Sequence, residues 1–154
     1  MNLPRWLRWL LARFFHLRGA THRHFGNSTG DLAEHEFAVA DFTRAIELDP
    51  DYVAAYYDRG VLYWRELRNG NRAIRDLTRV QELAPTWAEA LFNRAMAHQI
   101  RGDHEKAIAD LEQYLVEGKD VYWRESAQRQ MSILREMVAE KEAHRASTGR
   151  VFPG

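Results

Sequence analysis

Apolar and polar residues follow each other with the spacing of α-helices along most of this chain, and the pattern repeats. Its clearest unit is a pentad that begins with Ala and has Asp in fourth place: Ala38–Phe42, Ala73–Leu77 and Ala107–Leu111. The copies begin 35 and then 34 residues apart. A repeat of this length is typical of stacked helix pairs, because one pair alone cannot bury its apolar face. The pattern therefore predicts an all-α helical-repeat solenoid.

The residues around the pentads form a longer motif. Its copies consist of Ala38, Phe42 and Pro50; then Tyr56, Arg59, Gly60, Tyr63, Ala73, Leu77 and Pro85; then Leu91, Arg94, Ala95, His98, Ala107 and Leu111. This motif resembles that of the tetratricopeptide repeat (TPR) family, which reads W-x2-L-G-x2-Y, then A-x3-F, then P. The resemblance covers about residues 31–117 and amounts to about two and a half repeats, since the first copy has only its second half. It implies a scaffold that binds other proteins.

Signals for helix ends divide the chain into five parts. We expect a basic amphipathic helix over residues 1–18, an irregular linker over 19–30, the repeats over 31–118, a C-terminal capping helix over 119–145 and a tail over 146–154. The linker is expected to be irregular because it is rich in Gly, Ser, Thr and Asn. The capping helix combines a narrow apolar stripe with a polar outer face, which is what the end of a repeat stack needs.

The N-terminal helix is apolar on about half of its circumference and basic on the rest. Two interpretations remain open: the helix folds back to cap the repeats, or its apolar face meets a membrane surface or a hydrophobic partner. Five Arg and no acidic residue precede Asp31, which is more charge segregation than a cap requires. The residues predicted to face the membrane or the partner are Trp6, Leu7, Leu10, Leu11, Phe14 and Phe15.

Two arginines in the repeats depart from the family pattern. Arg59 and Arg94 stand where the family usually has Leu, and each copy keeps an Asp in its pentad, Asp76 or Asp110. A matched departure predicts a paired Arg–Asp contact between helices. The alternative is that both arginine side chains extend into solvent. Next to them, Gly60 and Ala95 are small, which predicts a close approach of two helices.

By resemblance, the first helix of each pair lines a concave groove. The residues off the core face are spaced i, i+4, i+7 and so form one stripe on each helix. Such a stripe can anchor a helix or an extended peptide, although the N-terminal helix of the chain itself could instead fill it. The predicted groove residues are Tyr57, Val61 and Trp64, then Phe92, Met96 and Gln99.

Some family members hold the terminal carboxylate of a peptide with Lys, Arg and Asn side chains in this groove. Here only Arg65, Asn93 and Arg94 could serve. That mode is therefore disfavoured, and we expect apolar contacts to hold the ligand.

Composition and motifs narrow the function further. The chain has 22 basic and 22 acidic residues and no Cys, so nothing favours nucleic acid, a disulfide or a Cys-based zinc site. His16, His22, His24 and His35 lack ligand spacing. No glycine-rich nucleotide-binding loop, no H-E-x-x-H motif and no candidate nucleophile occurs. We expect no enzyme activity, no metal or other cofactor and no small-molecule substrate.

These observations predict a protein–protein interaction scaffold, adaptor or assembly factor. We expect a cytoplasmic location, because no signal peptide and no membrane-spanning stretch is found, and possible attachment to the inner face of a membrane through the N-terminal helix. The alternative is a permanent accessory subunit of a larger membrane complex, in which the apolar helix and groove stay buried.

Overall fold

A computed structural model describes residues 3–148 of the chain. Within this range the chain forms helices and no strand, so the predicted all-α fold is confirmed. The helices are α1 (Arg5–Thr29), α2 (Leu32–Leu48), α3 (Val53–Arg65), α4 (Gly70–Leu83), α5 (Ala88–Arg101), α6 (His104–Glu117) and α7 (Val121–Thr148).

Short polar or glycine-containing turns end the helices. The Asp31 carboxylate accepts a hydrogen bond from the Ala33 N–H (2.9 Å) at the start of α2, and the Asn69 side chain does the same for Arg72 (3.1 Å) at the start of α4. Gly30 and Gly102 follow α1 and α5 with φ of 73° and 78°. This left-handed backbone costs glycine little. The turns are short, so consecutive helices lie side by side.

The helices pack as pairs, α1 with α2, α3 with α4 and α5 with α6, and α7 covers the last pair. The three pentads occupy equivalent buried positions in the second helix of each pair. Their first and last residues, Ala38 and Phe42, Ala73 and Leu77, and Ala107 and Leu111, have no exposed surface. The repeat in the sequence is therefore a repeat of buried environments.

The predicted irregular linker over residues 19–30 is wrong, because α1 continues to Thr29. Gly19 and Gly26 are buried where α1 crosses α2. A Cβ atom at Gly19 would lie 2.9 Å from the Phe42 ring, and one at Gly26 would lie 2.5 Å from the His35 ring. These glycines allow two helices to approach each other and do not make a turn. As a consequence α1 is the first helix of the first pair, and residues 3–148 contain three helix pairs instead of the expected two and a half.

The C-terminal helix is longer than expected. It was predicted to end at residue 145, but α7 continues to Thr148, and the rest of the predicted tail lies outside the described residues. From residue 3 to residue 148, no helix combines the length and apolar character needed to span a membrane.

Candidate partner-binding surfaces

Paired arginine and aspartate side chains hold the groove helices in place. Arg59 of α3 donates two hydrogen bonds to Asp76 of α4, both 2.8 Å long, and a third of 2.8 Å to the Thr43 hydroxyl of α2. Burial would lower the pKa of Arg59, but the Asp76 carboxylate outweighs it and raises that pKa. The predicted contact of Arg59 with Asp76 is therefore confirmed, and Arg59 also connects its own helix pair to the preceding one.

The second copy of this contact follows the same plan. Arg94 of α5 donates to both carboxylate oxygens of Asp110, at 2.8 and 2.6 Å, and to the Thr78 hydroxyl at 3.3 Å. A two-pronged contact with a carboxylate fixes the guanidinium plane. Arg94 is thus fully engaged and is not free to bind a ligand.

A third copy was missed from the sequence. Arg18 of α1 donates from Nε to Asp41 of α2 at 2.7 Å, and from a second nitrogen to the other carboxylate oxygen. Arg18 stands 41 residues before Arg59, whereas Arg94 follows Arg59 by 35. The spacing is longer because α1 continues for several turns after Arg18, as far as Thr29. The signal that could have identified it is the dipeptide Arg18-Gly19, which matches Arg59-Gly60.

Two adjoining cavities lie along the helices predicted to line the groove, and both are lined by Val61 and Arg65. The first has a volume of about 200 Å³ and lies between α1 and α3. The second has a volume of about 140 Å³ and lies between α3, α5, α6 and α7. The first is lined by Arg23, Asn27, Val61, Leu62, Arg65 and Glu66. The second is lined by Tyr57, Val61, Arg65, Glu89, Phe92, Asn93, Tyr114 and Trp123.

The predicted groove residues differ in their exposure and in whether they line a cavity. Tyr57, Val61 and Phe92 line the second cavity, whereas Trp64 and Gln99 are half-buried outside both cavities. Phe92 and Met96 are only 6% and 7% exposed because they belong to one buried cluster with residues of α6 and α7. The expectation of an open stripe is therefore wrong for these two residues, and what covers them is the C-terminal part of the chain rather than α1.

Asn93 connects the two groove helices through its side-chain amide. It accepts a hydrogen bond from the Trp64 indole N–H (3.0 Å) and donates to the Tyr57 hydroxyl (3.0 Å) and the Glu89 carbonyl (2.8 Å). Both Asn93 and Arg94 are thus occupied inside the protein. Of the three residues that could hold a peptide carboxylate, only the exposed Arg65 remains, with the Glu66 carboxylate 4.0 Å away.

The aromatic wall of the second cavity includes two residues that sequence reasoning did not place in the groove. Tyr114 and Trp123 both pack edge-to-face on Phe92, with ring centroids 5.7 and 5.0 Å away. Trp123 belongs to the predicted capping helix, but the sequence does not indicate that it reaches α5. Glu89 was also missed, because nothing in the sequence distinguishes it from other exposed acidic residues.

Burial and a nearby negative charge act together on the two phenols of this cavity. Burial raises the pKa of Tyr57 to about 12, and the Glu89 carboxylate contributes to the rise. The pKa of Tyr114 is also raised, by burial first and then by Glu89. The Tyr114 hydroxyl is buried and has no hydrogen-bond partner among residues 3–148. This hydroxyl is therefore an unsatisfied polar group closed to solvent behind the wall of the cavity.

Helix α1 contacts the rest of the protein through its basic face. Arg8 donates to the Leu48 carbonyl at 3.1 Å, Arg13 pairs with Asp49, and Arg23 pairs with Asp58 at 2.7 Å. These contacts account for the charge segregation of the N-terminal segment, because the matching acidic residues lie on α2, on α3 and in the turn between them. The polar face is the one that docks.

Asp58 is the most connected of these carboxylates. It accepts from His16 Nε2 at 2.7 Å as well as from Arg23, and His16 Nδ1 lies 2.9 Å from the Tyr52 hydroxyl. Burial would raise the pKa of Asp58, but the hydrogen bond from His16 and the charge of Arg23 outweigh burial, so the pKa is lowered. The ionised carboxylate therefore helps to hold α1 against α3.

The apolar face of α1 points away from the repeats. Trp6 and Leu17 are 66% and 69% exposed, and Leu10 and Phe14 are exposed between them. Leu7, Leu11 and Phe15 are half-buried. We call the exposed residues Trp6, Trp9, Leu10, Phe14 and Leu17 the outer face of α1.

Comparison with known families identifies the repeats. A model described as "TPR repeat" matches residues 31–66, and a model described as "Tetratricopeptide repeat" matches residues 88–115. No curated protein sequence matches the chain. The two matched segments fall on α2–α3 and α5–α6.

Several solved structures share the fold. The Arabidopsis OM64 TPR domain has a TM-score of 0.68 at 20% identity and covers 84% of this chain and 98% of that one. The first TPR of Spaghetti (RPAP3), bound to the HSP90 peptide SRMEEVD, has a TM-score of 0.65 at 18% identity, covering 80% and 95%. The second TPR domain of human RPAP3, in complex with the HSP70 peptide SGPTIEEVD, has a TM-score of 0.62 at 21% identity, covering 79% and 98%.

Proposed function

Because the chain belongs to the tetratricopeptide-repeat family, we propose that it is a protein–protein interaction module that binds a segment of a partner in its concave groove. The observation that carries this proposal is the pair of adjoining cavities, whose shared residues Val61 and Arg65 make one continuous depression from α1 to α7. A depression of this kind, with aromatic side chains at one end, suits an extended peptide.

Apolar contacts should contribute more to binding than contacts with a terminal carboxylate. Asn93 and Arg94 are engaged by neighbouring side chains, and Arg23 of the first cavity pairs with Asp58, so Arg65 is the remaining arginine of the lining for a carboxylate. Val61 and the rings of Tyr57 and Trp123 offer the apolar surface. This distinguishes the proposed ligand of this chain from the acidic peptides in two of the structurally similar proteins.

A selection with random peptides tests this proposal. Peptides displayed on phage would be selected on the full chain, and the affinity of the enriched peptides would be measured by fluorescence anisotropy. Val61→Arg should weaken their binding by roughly tenfold or more, because it places a charge in the middle of the groove. The matched control is Val116→Arg on the exposed side of α6. Equal affinity of the two variants would exclude the groove as the binding site.

A second candidate function is attachment through the outer face of α1. Large exposed apolar side chains on one helix face mark an interaction surface. Three of the five arginines of α1, Arg13, Arg18 and Arg23, pair with aspartates of the repeats, which reduces the attraction of this helix for anionic lipid. This supports the alternative of an accessory subunit, with the outer face against an apolar protein surface, over attachment to a lipid surface. The cytoplasmic location remains a prediction.

Flotation with vesicles separates these two forms of attachment. The full chain would be mixed with neutral phosphatidylcholine vesicles and with vesicles containing phosphatidylserine, next to a Leu10→Glu/Leu17→Glu variant and the control Val116→Glu. If the outer face serves a protein surface, neither vesicle type should carry the protein. Flotation of the wild type and of the control, lost in the double variant, would instead support attachment to a membrane.

A further inference from the structure

We propose that the second cavity of the groove binds the cationic side chain of a lysine or arginine of the partner segment. The inference rests on the proposed function, since it specifies what the groove recognises. We call this cavity the aromatic–acid pocket, and its residues are Tyr57, Phe92, Tyr114, Trp123 and Glu89. Aromatic faces and a carboxylate around one small cavity are the surroundings that a cation prefers.

The aromatic rings of the pocket are held in place by their neighbours, and Trp123 can be reached from solvent. Tyr57 stacks on Trp87 with a centroid distance of 4.8 Å, and Tyr114 and Trp123 pack edge-to-face on Phe92 at 5.7 and 5.0 Å. Trp123 keeps 40% of its surface exposed, so an incoming side chain can reach this ring from solvent. Fixed rings lose little entropy when a ligand binds, which makes each contact more effective.

Glu89 supplies the negative charge of the pocket. It lies in the first turn of α5, is exposed, and forms no ion pair with the described part of the chain. Its carboxylate lines the same cavity as the two phenols and contributes to the raised pKa of each. A ligand ammonium or guanidinium group in the pocket would meet this carboxylate.

The Tyr114 hydroxyl belongs to the wall of the pocket but is closed to solvent. The residue is completely buried, and its hydroxyl has no hydrogen-bond partner among residues 3–148. A group that enters the pocket therefore meets the Glu89 carboxylate and not this phenol oxygen. An ammonium group has three donors and a guanidinium group has five, so either can pair with Glu89.

The other polar groups around the pocket are consistent with this assignment. The Asn93 amide is already bonded to Trp64 and Tyr57. Arg65 lies on the boundary with the first cavity, 5.8 Å from the Trp64 ring and 4.0 Å from the Glu66 carboxylate. Arg124 of α7, whose charge acts against the raised pKa of Tyr114, donates to the Leu115 and Gly118 carbonyls. Glu89 is the one carboxylate among the described residues that line the pocket, so the ligand cation is expected at the Glu89 end.

The volume of the pocket fits one long side chain. It measures about 140 Å³, which is roughly the space that five water molecules occupy in the liquid. This is enough for the methylenes and head group of a lysine or arginine and too small for a folded element. The expected ligand is therefore an extended segment that inserts one basic residue.

Titration with a minimal ligand tests the pocket without knowledge of the partner. N-acetyl-lysine amide would be added to the ¹⁵N-labelled full chain while the Trp123 indole N–H signal is followed by NMR, with N-acetyl-norleucine amide as the neutral comparison. The lysine ligand should shift the Trp123 signal in a saturable way, and the norleucine ligand should not. Equal shifts with both ligands, or none with either, would overturn the proposal.

Charge variants make the test specific. Glu89→Gln should reduce the lysine affinity roughly tenfold, the effect of one partly desolvated charge contact, while Glu105→Gln, also in the first turn of its helix and exposed, should not change it. Unchanged affinity in Glu89→Gln would contradict the proposal. Both variants change exposed residues, so their melting temperatures should stay close to that of the wild type.

The selected peptides distinguish failure of this inference from failure of the proposed function. A lysine or arginine should occur in the enriched peptides, and its replacement by norleucine should weaken binding about tenfold in the wild type but hardly at all in Glu89→Gln. If the peptides need Val61 and yet tolerate the replacement, the pocket assignment is wrong and the groove remains the binding site. If they do not respond to Val61→Arg, the groove proposal itself fails.

Discussion

Arg18 and Asp41 form the same two-pronged contact as Arg59 and Asp76, although α1 has no recognisable repeat motif. The copies differ in exposure: the side chain of Arg18 is 49% exposed, whereas those of Arg59 and Arg94 are 15% and 19% exposed. Arg59 and Arg94 each reach a threonine of the preceding helix pair, and Arg18 has no such pair before it in the described chain.

The last helix pair ends this series with a different contact. Glu112 of α6 stands where α2 and α4 have Thr43 and Thr78, one residue after the pentad, and it accepts a hydrogen bond from Arg135 of α7 at 2.7 Å. Helix α7 thus takes the place of the next repeat. At this position an exposed ion pair replaces the hydrogen bond to a threonine hydroxyl, in keeping with the end of a stack.

Removing one partner of a buried Arg–Asp contact should destabilise the protein more than removing both. Arg59→Met leaves Asp76 buried without its countercharge, and the free energy of unfolding should fall by about 3 kcal/mol. In Arg59→Met/Asp76→Leu the loss should be smaller than in Arg59→Met alone, and so smaller than the sum of the single losses. Urea unfolding of the four proteins in this cycle gives the coupling free energy.

The matched comparison is Arg18→Met, which removes the more exposed arginine of the three contacts. Its effect on the free energy of unfolding should be smaller than that of Arg59→Met, because the Arg18 side chain is 49% exposed and makes no third hydrogen bond to another helix pair within residues 3–148. Additive losses in the Arg59–Asp76 cycle would show that the two side chains do not stabilise each other.

Enlarging Gly60 should overpack the contact between α3 and α4. A Cβ atom there would lie 2.9 Å from Leu77 Cγ and 3.3 Å from the Asp76 Cβ. Gly60→Leu should therefore lower the free energy of unfolding by ~1–3 kcal/mol, even though leucine favours the helix more than glycine does. The control is Ala109→Leu on the exposed side of α6. A melting temperature of Gly60→Leu equal to that of the wild type would contradict the predicted close approach.

The docking of α1 should weaken in acid because of Asp58. Its pKa is lowered in the folded protein, so the carboxylate binds its proton less readily than in the unfolded chain, whose aspartates titrate near pH 3.9. The stabilisation is complete above that pH and is lost as the pH falls through the folded-state pKa.

Unfolding of Asp58→Asn next to the wild type, measured between pH 2 and pH 7 by circular dichroism, isolates this contribution. Asp58→Asn should be less stable at neutral pH, and the difference from the wild type should shrink as the pH drops below about 4. A difference that stays constant across this range would mean that ionisation of Asp58 does not stabilise the fold.

Tyr114→Phe should separate stability from ligand binding. The substitution removes a buried hydroxyl that lacks a partner and keeps the ring against Phe92. Since an unpaired buried hydroxyl costs about 1–3 kcal/mol, the melting temperature should stay equal or rise, while the affinity for N-acetyl-lysine amide should stay unchanged, because this hydroxyl is closed to solvent. A clear loss of stability would show that this hydroxyl has a partner in solution, such as a bound water molecule.

The sequence by itself determined the repeat and its local chemistry. The pentads, the helix pairs and the contacts of Arg59 with Asp76 and Arg94 with Asp110 could be predicted, because each depends on residues within one helix pair. In such a pair the connection is short, so spacing along the chain fixes spacing in the structure.

Only the tertiary structure decided how α1 docks and what the groove contains. An amphipathic pattern shows that a helix has an apolar face, but it does not show that this face packs inward. In this protein the arginine face of α1 docks, because its acidic partners lie on the elements next to α1. The sequence predicted a turn at Gly19, but glycine also occurs where two helices cross closely, as it does here. The aromatic–acid pocket draws residues from four helices, and no spacing along one helix reveals such a meeting point.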